Sequence, residues 1–460
     1  MQEGGRSANL LSLFRDLVLP LADAYAATRS SFRWSPEDSS LVIGDRRLPV
    51  ERLARIYLVG AGKAGVPMAR AVVDTLQEDA ELWSRFAGGT VNVYQDQANA
   101  TIPGVRLFAA DHPNPNQASM DGASAAVEML AQATDDDLVI AAISGGGSSM
   151  LTLPSEGICL EDFCAANRVL ITGGATIQEI NTVRKHLSRV KGGRLRLAAP
   201  DALFVTLILS DVIGDDLSSI ASGPTVPDST TCREAIAVLE QHELWERVPE
   251  ACRSHLLKGD PDEVNRRILW RDRLANRTHN VIVASNAVVL RSLHRLLSLP
   301  EHSGLASHVV LEESPVTGEV GEAVDRHFAR AAALSVSSGP GTLLLCGGEP
   351  TVSVPAGARG VGGRMLHYAL LTATKIAGRD WAVLASGTDG VDGTAPAAGA
   401  VVTGGTLDLA RTYGLDPFAY LESYDSYGFF RQLEERSGSA FLNITGPTGT
   451  NVNDIILWLL

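Results

Sequence analysis

The sequence predicts an α/β protein with mainly parallel sheets, and three observations carry that prediction. Short β-branched runs alternate with helical stretches along the chain. Several of these runs are apolar without alternation, as expected of strands covered on both faces. Glycine loops and carboxylates fall directly after the strands, where α/β folds hold their ligands. The strands read as "RIYLVG", "TVNVY", "LVIAAIS", "LFVTLILSD", "VIVAS", "HVVLEE", "LLLCGGE", "AVLAS" and "FLNIT".

A length of 460 residues suits two domains. The polar stretch from about Glu240 to Arg277 is the candidate boundary and reads as a helical connection, dividing residues 1–250 from 275–460. The composition is ordinary for a globular protein, 45% hydrophobic and 20% charged. The formal charge of −14 argues against sequence-independent nucleic-acid binding. An anionic substrate would therefore need a local basic cluster. The five cysteines form no CxxC or CxxH spacing, which fits reduced thiols in a cytoplasmic protein and no zinc. "LLSLFRDLVLPLADAYAA" carries charges within its apolar positions, so it reads as an amphipathic helix and neither a signal peptide nor a membrane span.

"VGAGKAG" sets Gly60, Gly62 and Gly65 in GxGxxG spacing between a strand and a helix, the context of a dinucleotide fingerprint. Lys63 intrudes, however, and no acidic residue closes the following strand about 20 residues on. A lysine there opposes the helix dipole and suits contact with a phosphate or carboxylate. In "ISGGGSSM" no serine has glycine at both −2 and +2, so it is no nucleophile elbow. Ser144, Gly145, Gly146, Gly147, Ser148 and Ser149 instead offer successive backbone N–H groups to an anion. Asp211 ends an apolar strand and is a candidate Mg²⁺ ligand, whereas one of Asp215 and Asp216 reads as a helix cap. "EINTVRKHLSRVKGGRL" is the basic segment. Read as one helix, it buries Ile180, Val183, Leu187 and Val190, places Arg184 and Lys191 beside that stripe, and turns Lys185 and Arg189 to solvent. Gly192 and Gly193 would stop it.

In the second half, a strand ends in Gly347, Gly348 and Glu349, and Gly363 and Arg364 precede a helix as a clamp for an anion. "GTDGVDG" repeats the strand-then-acid arrangement with Asp389 and Asp392, and an Asp-Gly turn accounts for one of the two. His112 is balanced between a plain loop residue and a functional one.

Together with "DHPNPNQAS", "GGEPTVSV" and "TGPTGTNVND", these blocks resemble the glycerate 2-kinase family with a C-terminal MOFRL domain. The resemblance implies a Rossmann-like N-terminal domain, a smaller α/β C-terminal domain, and an active site in the cleft between them. It implies phosphorylation of D-glycerate on its 2-hydroxyl by ATP with Mg²⁺, with Lys63, Asp211, Arg364 and Asp389 at active-site positions. The chain departs from the family's Arg-Asn-Gln-Glu at Met365, Leu366 and His367, and has Pro396 where an acidic loop continues. On this reading Lys63 and Arg364 hold the acceptor carboxylate and the moving phosphoryl group. Asp211 and Glu349 hold Mg²⁺, and Asp389 accepts the hydroxyl proton. The expected partners are a hydroxy acid and a nucleotide, with no nucleic acid or membrane, and a homodimer is the candidate assembly. The alternatives are an NAD(P)-dependent hydroxypyruvate reductase and a catalytically impaired homologue that binds a phosphorylated metabolite.

Overall fold

The structure is a computed structural model that describes residues 3–300, 304, 306–355 and 357–460. The chain divides into two units, Ala24–Val283 and a discontinuous one made of Met1–Asp23 with Ala284–Leu460. This differs from the sequence boundaries in two places. The polar stretch after Glu240 is no connection, because its helices Glu250–Lys258 and Glu263–Leu269 lie inside the first unit. The N-terminal helix Glu3–Leu13 groups instead with the second unit, packing on its strands 382–387 and 399–403. The apolar positions Leu10, Leu11, Phe14 and Val18 are buried there, and Arg6 bridges to Asp380 at 2.7 Å.

The first unit opens with an antiparallel sheet of β1 (Phe32–Ser35), β2 (Ser40–Ile43) and β3 (Arg46–Pro49). The main sheet contains β4 (Ile56–Ala61), β5 (Phe86–Tyr94), β6 (Val105–Ala110), β7 (Leu138–Ile143), β8 (Leu203–Leu209) and β9 (Thr278–Ala284). Its order is β6-β5-β4-β7-β8-β9, and β4 pairs in parallel with both β5 and β7, Gly60 lying level with Val91 and Ala142. Every residue of β4 and β7 is buried, which is what their unbroken apolar runs require. The chain steps outward from β4 to β6, then returns to β7 on the other side of β4. The loops after β4 and β7 therefore diverge, and such a switch in strand order opens a crevice at the carboxyl ends.

The second unit holds β10 (His308–Leu311), β11 (Val316–Glu319), β12 (Thr342–Thr351), β13 (Ala382–Gly387), β14 (Gly399–Thr403), β15 (Leu442–Asn443) and β16 (Asp454–Leu459). Its sheet runs β10-β12-β16-β13-β14-β15, with β11 beside β12. The expectation of mainly parallel sheets holds for the first unit only. Here β16 is antiparallel to both β12 and β13, and the parallel pairs are confined to β10 and β11 against β12. The core gathers Trp458, Tyr368, Phe429 and Phe430 around this sheet.

Asp454, the first residue of β16, lies level with Gly348 on one side and Gly387 on the other. The missing side chains leave room for its carboxylate and for what binds it. Helix Arg364–Ile376 begins beside it, and Asp392 caps that helix by accepting from Met365 N at 3.2 Å and Leu366 N at 2.7 Å. Gly363 has to be bare, since a Cβ there would stand 2.3 Å from Asp392 Oδ1. Among the described residues no helix is long and apolar enough to cross a membrane. Replacing Asp392 by Ala strands two helix-end N–H groups and is expected to destabilise the second unit by about 2 kcal/mol. Hydrogen exchange of the first turn of helix Arg364–Ile376 reads this directly, and unchanged protection there would contradict the capping role.

Candidate functional site

In the first unit, the loops after β4 and β7 are locked together. Lys63 N donates to Gly145 O at 2.9 Å, and Ala64 N donates to Ser144 Oγ at 3.0 Å. The approach is so close that a Cβ on Gly62, whose φ is +132°, would lie 2.2 Å from Ser144 Oγ. These bonds use the amides that a dinucleotide fingerprint would turn to a pyrophosphate, so "VGAGKAG" buttresses the second loop.

The three glycines of that second loop answer to three different neighbours. A Cβ on Gly145 would stand 2.1 Å from Asp211 Oδ2, and one on Gly147 would stand 2.8 Å from Ala221 Cβ. Gly146 has φ +81°, where glycine is at ease. The serine hydroxyls are all committed. Ser144 Oγ accepts from Ala64 N, Ser148 Oγ meets Ser222 Oγ at 2.9 Å, and Ser149 Oγ donates to Pro113 O at 2.6 Å. Among the described residues, the N–H groups of Gly145, Gly146 and Ser148 donate to no backbone carbonyl. What the loop offers outward is backbone N–H.

Basic side chains surround it. Lys63 is exposed, and its Cγ lies with His112 Cδ2 over Gly146, 3.3 and 3.2 Å from where a Cβ would be. The His112 pKa is lowered by burial and then by the charges of Lys63 and Arg184. The Arg184 Nε donates to Asn167 Oδ1 at 2.7 Å, and burial lowers its pKa to about 10. Lys191 is 1% exposed, and its Nζ donates to Ser148 O at 2.6 Å and Leu151 O at 2.9 Å, beneath the glycine turn. Burial first, then Arg184, lowers its pKa to about 7. Arg184 and Lys191 bond to neutral oxygens, of Asn167, Ser148 and Leu151. The local positive charge demanded by a chain of net −14 is therefore present.

The single-helix reading of "EINTVRKHLSRVKGGRL" is corrected. The helix spans Ile177–His186, and Lys191 lies beyond its end. The chain leaves the helix because Ser155 N and Arg189 N bond across to Leu187 O and Leu153 O, tying residues 187–189 to the segment before them. Arg189 is exposed as expected, but Lys185 is buried, 3.9 Å from Asp228. Asp216 accepts from Ser218 N, Ser218 Oγ and Ser219 Oγ within a turn. The short helix Ile220–Ser222 that follows has Ser219 as its N-cap with no side-chain cap, so the helix-cap reading of Asp215 or Asp216 does not hold. Asp211 stands two residues past β8.

In the second unit, β12 continues to Thr351, so Glu349 lies within the strand and not at its end. Arg364 is held on three sides. Its Nε donates to Asp454 Oδ2 at 2.6 Å, Nη2 to Asp454 Oδ1 at 3.3 Å, and Nη1 to Glu349 Oε1 at 3.0 Å. Burial works against its charge, but Asp454 and Glu349 outweigh that and raise its pKa. Burial pushes Asp454 up to about 7 and Asp392 up to about 6, against the opposing pull of Arg364 on both. Arg364, Asp392 and Asp454 line a cavity of 690 Å³, together with Asp389, His367, Tyr424, Ser426 and Val391. Asp389 Oδ1 accepts from Val391 N at 3.3 Å within its own turn. Sequence reasoning missed Asp454 as the partner of Arg364, and the signal was present: a lone acid opening the apolar run "DIILWL".

Comparison with known proteins follows the same division. A domain of unknown function, DUF4147, matches residues 15–257, and the MOFRL family matches residues 342–454. Glycerate 2-kinase of Pyrococcus horikoshii is 35% identical, over 96% of this chain and 94% of its own. A relative from Agrobacterium vitis, named provisionally as a hydroxypyruvate reductase, is 38% identical over 89% of this chain and 88% of its own. The crystal structure of Thermotoga maritima glycerate kinase superposes with a TM-score of 0.82 at 30% identity, covering 99% of both chains. With this likeness running through both units, the chain belongs to the glycerate 2-kinase family.

Proposed function

We propose that this protein transfers the γ-phosphoryl group of ATP to the 2-hydroxyl of D-glycerate, giving 2-phosphoglycerate. The observation that carries the reading is the set of basic side chains, Lys63, Arg184 and Lys191, gathered around the Gly145–Ser148 amides. Such a set suits the carboxylate of a short acid and the phosphate it acquires. The names of the kinase relatives from Pyrococcus horikoshii and Thermotoga maritima support it. Hydride transfer has no use for a lysine in the first glycine loop, and the amides a dinucleotide would need are spent. The five cysteines, all free, support a cytoplasmic setting.

Phosphoryl transfer asks for positioning and charge neutralisation. Lys63 and the loop amides hold the acid. The 2-hydroxyl oxygen forms the new bond to phosphorus as the bond to the β,γ-bridging oxygen breaks, ADP leaves with that oxygen, and the hydroxyl proton passes to a general base, the part the family resemblance gives to Asp389. Arg364 keeps two N–H groups beyond its three bonds, enough to meet an anion while its carboxylate partners fix its orientation. For Mg²⁺ the fit is uneven. The Asp211 carboxylate, set against the bare Gly145, has suitable donor chemistry, whereas Glu349 is engaged by Arg364. When bound, the metal supplies neutralising charge to the phosphoryl group.

Coupled ADP release with D-glycerate, with the product's position read by phosphorus NMR, tests the reaction. Lys63→Ala is expected to lower kcat/KM by about 10²–10³-fold, and Asp389→Asn to lower kcat far more than it changes KM. Oxidation of NADH with hydroxypyruvate, without ADP release from glycerate, would overturn the kinase reading. A second expectation concerns pH. In the free protein Lys191 loses its proton near pH 7, and a nearby anion holds that proton on, so binding 2-phosphoglycerate takes up protons above pH 7. Affinity therefore falls several-fold as pH rises through that range. In Lys191→Met calorimetry should find weaker binding at pH 7 and a flatter profile above it.

A further inference from the structure

The cavity of the second unit is built for something larger than a three-carbon acid. At about 30 Å³ per water, its 690 Å³ equals the space of about 23 waters, within the range of small-molecule sites. Its lining is mixed in a particular way. His367 lies one helical turn from Arg364, its Nδ1 3.2 Å from Ser426 Oγ, and its ring stacks on Tyr424 at 5.5 Å and 11°. Among the described residues its Nε2 meets no protein partner. Burial lowers the His367 pKa against the pull of Glu319, so the ring is neutral at pH 7. Val354 and Val391, both on the lining, remain 54% and 43% exposed, apolar surface that a ligand would cover.

The charge on the lining is the deciding feature. Asp389, Asp392 and Asp454 stand against one arginine already bound to two carboxylates. That arginine has two N–H groups left beyond its three bonds, enough for one anionic oxygen but too few to hold a polyphosphate among three acids. We infer that this cavity takes the nucleoside portion of the phosphoryl donor: valines and the His367–Tyr424 pair flank the base, and His367 Nε2 bonds a base heteroatom. This rests on the kinase reading, since it supplies the donor that the reaction consumes.

Calorimetry with the full chain tests it, using adenosine, ADP and pyrophosphate as probes. Adenosine is expected to bind with no phosphate present. His367→Ala and Val391→Asp should each weaken ADP at least tenfold while leaving pyrophosphate and 2-phosphoglycerate within twofold. Circular dichroism melts confirm that each variant folds, and His367→Gln, which keeps a polar edge, should restore most of the ADP affinity. Unchanged ADP affinity in both variants, or an equal loss for pyrophosphate, overturns the assignment even if turnover is normal. Adenosine binding lost with His367, in a protein that transfers no phosphate to glycerate, keeps the cavity assignment and removes the kinase reading instead.

Discussion

The chemistry of the first unit depends on one pair of hydrogen bonds, from Lys63 N to Gly145 O and from Ala64 N to Ser144 Oγ. They join the loops that leave two adjacent parallel strands in opposite directions, the point at which an α/β sheet has room for a ligand. By spending the amides of the first loop, they make it a fixed wall and leave the second loop to present its own. Lys191 closes the arrangement from below through the carbonyls of Ser148 and Leu151. A buried ammonium without a carboxylate is costly, and burial lowers the Lys191 pKa to about 7.

In the second unit Asp454 plays the corresponding part. It enters the sheet between two glycines, meets Arg364 through both oxygens, and leaves the arginine cationic but immobile. Asp392 serves the same helix from the other side by capping its start. Two acids that look alike in sequence therefore divide the work, with Asp392 closing a helix and Asp389 half-buried on the cavity wall.

Much of this was legible in the residues. The parallel sheet, the glycine turn after β7, and Lys63 beside it follow from apolar runs and their punctuation, which are local signals. What escaped detection was non-local. "DIILWL" has no glycine loop or helix after it to mark it as a strand, yet it forms the antiparallel centre of the second sheet. Lys191 was misplaced because helical periodicity was carried past His186, where cross-chain hydrogen bonds end the helix, and Lys185, inside the helix, is buried near Asp228. Periodicity tells which face is apolar only for as long as the helix lasts. The hydroxyls of the three loop serines are committed within the protein, a fact that depends on neighbours 36 to 80 residues away.

The placement of the N-terminal helix has a consequence for how the molecule is made. With Leu10 and Leu11 buried, the helix packs on strands that begin at Ala382 and Gly399. At ribosomal speeds of about 5–20 residues per second, that helix waits tens of seconds for its surface while the whole first unit is synthesised and can fold. For that interval a greasy segment trails in the open, and a chaperone able to hold such segments would find its binding site there. Fragments that start at Ala284 would lack the cover for those strands altogether, so the second unit is a domain in space without being one in sequence.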